Sequence, residues 1–171
     1  MTQTTRHRPI LATLAACVLT TAAAAQPATV APPQGARQVL EVQAQGVQVY
    51  TCEASANGYH WAFTAPDAWL FDATGRQVGT HFAGPTWQLQ DGSKIVGAVQ
   101  AQAPSPEPNA VAWLLLRVKS HAGTGLLDNA AFVRRIDTHG GAAPTTGCDA
   151  TQAKTQARMR YTARYVFYAA P

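Results

Sequence analysis

The sequence predicts an all-β protein, a single antiparallel sandwich or barrel with one disulfide. Short runs of alternating apolar and polar residues recur from Gln38 onward, with Gly, Pro, Asn-Gly and Asp-Gly turns between them. The last run is the clearest: Met159, Tyr161, Ala163, Tyr165 and Phe167 share one face, and Arg158, Arg160, Thr162 and Arg164 share the other. Two cysteines, Cys52 on a strand-like run and Cys148 in a Gly-rich loop, would if bonded close a loop of nearly the whole domain.

The chain starts with a targeting pattern. Arg6 and Arg8 make a basic start, Ile10 to Leu19 is apolar, and Ala23-x-Ala25 is a small-residue cleavage signal before Gln26. Residues 1–25 therefore read as a signal peptide for export to the periplasm or the medium, and the apolar part is too short for a stable membrane-spanning helix. Leu14-Ala15-Ala16-Cys17 also resembles a lipoprotein cleavage site, which would leave Cys17 as a lipid anchor. Residues 26–37, rich in Pro, Ala, Thr and Gln, read as a disordered leader.

The full sequence carries 13 Lys and Arg against 9 Asp and Glu. Without Arg6 and Arg8 that becomes 11 against 9, so the net charge falls from +4 to +2. No Lys/Arg cluster remains, and nucleic acid is excluded as a partner. Residues 38–171 suffice for one core and are too few for two.

In order, Val39–Ala44 and Val47–Glu53 read as strands broken at Gly46, and Val47, Val49 and Thr51 alternate with Gln48, Tyr50 and Cys52. Asn57-Gly58 is a hairpin signal leading into the strand Tyr59–Phe63. Pro66-Asp67 ends that run, and Ala68–Phe71 is a short segment before the Asp72–Gly75 turn. Arg76–Phe82 follows, then Gly84-Pro85, the strand Thr86–Gln90, the Asp91-Gly92-Ser93 turn and the strand Lys94–Gln102. Three prolines make residues 103–109 an exposed connection. Val111–Lys119 is apolar enough for a strand covered on both sides. Asn129–Thr138 is another strand, with Arg134 and Arg135 on opposite faces, and Asp149–Thr155 has the length of a turn of helix.

Chemistry is sparse. His60, His81, His121 and His139 form no metal-ligand spacing, Ser93 lies outside a nucleophile elbow, and Gly123-Thr124-Gly125 lacks the third glycine of a dinucleotide fingerprint. No catalytic residue, metal or cofactor is assigned. Cys52 and Cys148 suit a disulfide after export, and a catalytic thiol is the rival reading. The stretch around Gly84-Pro85 reads as a hairpin with His81 at its edge, and a second reading sets His81, Trp87 and Asp91 around one shallow site. His81 and His139 both flank Gly- and Pro-containing turns, and Arg135 and Asp137 share a strand face by period two. The candidate binding face is therefore His81, Trp87, Asp91, Arg135, Asp137 and His139. Trp69, beside Pro66-Asp67, is the aromatic most suited to exposure.

His81–Trp87 (HFAGPTW), Asp91-Gly92-Ser93, Trp113–Leu116, Arg135–Pro144 (RIDTHGGAAP), Cys148-Asp149 and Tyr161–Tyr168 together resemble the family catalogued as domain of unknown function 3455. The resemblance covers essentially the whole mature domain. It implies an exported single domain with a cysteine pair, and it supplies no catalytic residue. The functional expectation is a non-catalytic module that binds a small molecule, a glycan or a surface partner. The alternative is a secreted hydrolase or metal-dependent enzyme using His81, Asp91 and His139.

Overall fold

The computed structural model describes Met1 and residues 30–171, so residues 2–29, with Cys17 and most of the stretches read as signal peptide and leader, lie outside the described residues. Eight antiparallel strands follow one another around a closed barrel: β1 (Arg37–Ser55), β2 (Gly58–Phe71), β3 (Gln77–Phe82), β4 (Thr86–Leu89), β5 (Lys94–Ala103), β6 (Trp113–Ala122), β7 (Ala130–Gly140) and β8 (Gln156–Ala169). Each strand pairs with the next, and β8 returns to β1. Of sandwich and barrel, the chain adopts the barrel. Closure leaves few unpaired strand edges, and eight strands enclose a space that side chains fill or one small ligand occupies.

Gly46 does not interrupt β1. It lets a single 19-residue strand pass close to β2, because a Cβ there would meet the Asp67 carbonyl oxygen and the Ala68 Cα. Pro66 does not end β2 either. It pairs with Gln48 on β1, while β3 pairs only with Ala68–Phe71, so Pro66 sits where β2 has no second neighbour and needs no second ladder donor. Asp149–Thr155 forms turns rather than helix, with Asp149 Oδ1 accepting from the Thr151 amide and hydroxyl.

The inward face is apolar along most of the barrel. Val42, Leu70, Trp87, Ile95, Leu116, Val133 and Phe167 are nearly inaccessible. On β8 the inward set is Tyr161, Ala163, Tyr165 and Phe167, as the alternation predicts. The outer face of β8 carries Arg158, Arg160 and Arg164, a water-facing wall where a lipid-facing barrel has an apolar band. β6 is covered on both sides: Leu114 and Leu116 join the interior, and Leu115 packs outside with Phe132 and Val30. Val30 is buried, so the packed chain begins within the segment whose composition reads as a leader. Apolar surface on the outer wall outweighs that composition.

Cys52 and Cys148 are bonded, with an S–S distance of 2.02 Å and Cα atoms 5.4 Å apart. The bond ties the far end of β1 to the β7–β8 loop. It suits an oxidising environment. Among the described residues no helix is long and apolar enough to cross a membrane.

Candidate functional site

The barrel interior is not filled throughout. A cavity of about 330 Å³ opens between β1, β2, β5 and the β5–β6 connection. Its inner wall includes Gln48, His81, Trp87, Arg135 and Tyr165, and exposed Phe63 and Val99 stand at its mouth. Each is placed by strand phase. On β1 the inward set Val42, Ala44, Gln48 and Tyr50 runs through Gly46, so a glutamine and a tyrosine continue the apolar row. On β5, Gly97 leaves room for the Trp87 ring, whose Cζ3 would stand 3.1 Å from an added Cβ.

His81 lies inside the wall rather than at a hairpin edge. Its ring stacks on Trp87 with centroids 4.5 Å apart, and Tyr165 meets it edge-on at 5.0 Å. Nδ1 lies 2.8 Å from the Thr86 carbonyl oxygen, which only accepts, so Nδ1 carries the proton and Nε2 is the remaining lone-pair site. Burial lowers the His81 pKa to about 3; the Thr86 carbonyl acts the other way and the Arg135 charge adds to the lowering. The ring is neutral in the physiological range.

Arg135 comes from β7. Its Nε and Nη2 donate to the Ala112 carbonyl oxygen at 3.0 and 2.8 Å, so the Pro-rich connection orients the guanidinium. The Tyr50 hydroxyl donates to the Gly141 carbonyl oxygen at 2.7 Å. Burial pushes the Tyr50, Tyr161 and Tyr165 hydroxyls up, partly offset by the Arg135 charge, so all three are protonated at neutral pH. The Tyr161 hydroxyl lies close to Tyr165 and Gln48, and the Tyr165 hydroxyl close to Tyr161 and Arg135, though each stops short of good hydrogen-bond geometry.

The other three candidate residues lie elsewhere. Asp91 braces a turn: Oδ1 accepts from the Ser93 amide and hydroxyl, and Oδ2 from the Leu126 amide at 2.8 Å. Burial alone would raise its carboxyl, but these bonds outweigh that and hold it below the usual range. Asp137 does not share a face with Arg135. A bulge falls between Ile136 and His139, and Asp137 takes a left-handed φ of 49°. The extra residue turns Asp137 outward, where it pairs with Arg164 at 2.6 Å. His139 borders an outer groove with Gln45, Trp69 and Arg160, and it stands opposite Thr162 on β8. Thus His81, Trp87 and Arg135 meet at one cavity; Asp91, Asp137 and His139 do not join them. Among the described residues no group of three His, Cys, Asp or Glu could hold a metal ion.

Gln48, Tyr50 and Tyr165 are cavity residues that motif reading passes over. The signal for them was phase: a polar residue in step with apolar ones on an alternating strand points inward.

A family model described as "Protein of unknown function (DUF3455)" matches residues 32–169. The chain belongs to this family. The match spans β1 to β8 and ends at the last residue of β8, so the barrel is the unit that the family model describes. No curated protein and no solved structure matches the chain.

Proposed function

We propose that this member of the family binds a small molecule inside the barrel and performs no reaction on it, and that it does so after export to the periplasm or the medium. The observation that carries the reading is the cavity of about 330 Å³, walled by aromatic and aliphatic side chains around a few buried polar groups. That size and lining match the lower range of small-molecule sites. The hydrolase or metal-enzyme alternative has less support: His81 is held neutral by burial, the Asp91 oxygens are engaged in a turn, and His139 faces outward. Export is supported by the basic, apolar and small-residue order of residues 1–25 and by the disulfide.

Native mass spectrometry of protein isolated from its producing cells tests both parts. The expected spectrum shows a chain beginning at Gln26 and a population carrying a small molecule that dissociates under gentle activation. Val99→Trp, which narrows the mouth, should deplete that population several-fold. An equal population in Val99→Trp would overturn the cavity as the site, and an intact N-terminal segment would overturn export.

A surface partner is the second reading. Trp69, 54% exposed, heads a cross-strand row on the outer wall with Gln45, Thr162 and His139, an aromatic beside hydrogen-bonding groups.

A further inference from the structure

Several residues on the cavity wall carry donors that no protein acceptor engages. Gln48 Nε2, Trp87 Nε1 and the Tyr165 hydroxyl are buried on residues only 1% exposed, and none makes a hydrogen bond of good geometry to the protein, although Gln48 lies close to Tyr161 and the Tyr165 hydroxyl close to Tyr161 and Arg135. Native interiors leave few such groups, and those that persist at a cavity wall point to a ligand or water. Arg135 adds a fixed positive charge. Two of its five N–H groups bind the Ala112 carbonyl, which leaves three. Among the described residues no carboxylate lies within ion-pair distance of it, and no Asp or Glu lines the cavity. A half-buried cation without a counter-charge is costly, and an anion beside it recovers that cost. The rest of the wall is apolar: Phe63, Pro66, Val99, Leu114 and Leu116 frame the way in.

We infer that the cavity takes a small organic monocarboxylate, its carboxylate on Arg135 and the Tyr165 hydroxyl and its compact apolar body between Trp87, Leu116 and Phe63. This rests on the cavity being the binding site. Arg135 supplies charge and a forked donor pair, and Tyr165 supplies a neutral donor. Gln48 and Trp87, each with a donor that no protein acceptor engages, line the same cavity. A cationic ligand finds no carboxylate there, and a neutral one leaves the Arg135 charge uncompensated.

Titration calorimetry with 4-phenylbutyrate, 4-phenylbutyramide and 4-phenylbutylamine separates these cases, since the three share one apolar body. The carboxylate should bind at least about tenfold more tightly than the amide, the usual worth of a charge-assisted hydrogen bond, and the amine should not bind measurably. Arg135→Gln should erase the preference while the amide's affinity holds, and Arg135→Lys should retain part of it. Tyr165→Phe keeps the ring and removes only the hydroxyl; it should weaken the carboxylate several-fold and the amide less, so the proposal remains testable if Arg135→Gln folds poorly. Equal affinity for carboxylate and amide in the parent protein overturns the anion proposal and leaves the cavity reading standing. An unchanged carboxylate affinity in folded Arg135→Gln does the same. Failure of all three probes overturns both.

Discussion

His81 shows how far the environment of one residue can depart from its sequence context. Beside a Gly-Pro turn it has the setting of an exposed loop histidine, yet it is 3% exposed, stacked on Trp87 and tied to Thr86. Its folded pKa is about 3 against an ordinary value of 6.5. The unfolded chain therefore binds the proton more readily, and folding stability falls as pH drops from about 6.5 to about 3. Above that window the ring is neutral in both states and the effect vanishes; below it both states are charged and the loss is complete. Denaturant midpoints at pH 7 and pH 4 should differ more for the parent protein than for His81→Gln, whose amide can still donate to the Thr86 carbonyl. Carboxylates also titrate near pH 4, and the difference between the two proteins cancels their share. Equal pH sensitivity would show that the His81 ring is not held neutral by burial.

At the scale of the element, strand phase decides which side chains reach the interior, and register shifts reset it, two of them beside Arg135 and Tyr50. The bulge on β7 sends Asp137 outward just after Arg135 has pointed in. The shift between Val49 and Tyr50 brings Phe63 into register beside Tyr50 and onto the cavity rim. β8 has no shift between Tyr161 and Tyr165 on its β1 side, and its alternation is regular there. Phe167, which is fully inaccessible, meets Trp87 edge-on at 6.0 Å. Phe167→Ala should cost about 3–5 kcal/mol in chemical denaturation, the usual range for a large aromatic lost from a core. A loss of only a few tenths of a kcal/mol would mean that β8 carries the opposite face inward.

For the whole molecule, the barrel closes through β8 on β1, and the disulfide then links residues 96 apart in sequence. The chain-entropy model assigns such a loop about 4–5 kcal/mol, a large part of the roughly 5–15 kcal/mol that holds a domain folded. Protein denatured without reductant should show no titratable thiol at Cys52 or Cys148, and two after reduction. The double variant Cys52→Ser/Cys148→Ser should lose up to about 4 kcal/mol of stability. Two free thiols before reduction would overturn the bond.

The sequence alone determined the class of the fold, most strand positions, the inward face of β8 and the cysteine pair. These rest on local alternation, turn chemistry and a count of two cysteines, all of which a linear chain displays. It also marked His81, Trp87 and Arg135, which the fold brings to one cavity. It could not show that Asp91, Asp137 and His139 belong elsewhere, because a bulge and a turn hydrogen bond are set by pairing across strands. Nor could it show that Gly46 and Pro66 lie within continuous strands, since Gly46 is needed for the close approach of β2 and Pro66 is tolerated where β3 does not pair. Barrel over sandwich, and the cavity with Gln48 and Tyr165 on its wall, were decided only in three dimensions. Closure of β8 on β1 joins residues more than a hundred positions apart, and no local pattern encodes which of the inward side chains will leave space between them.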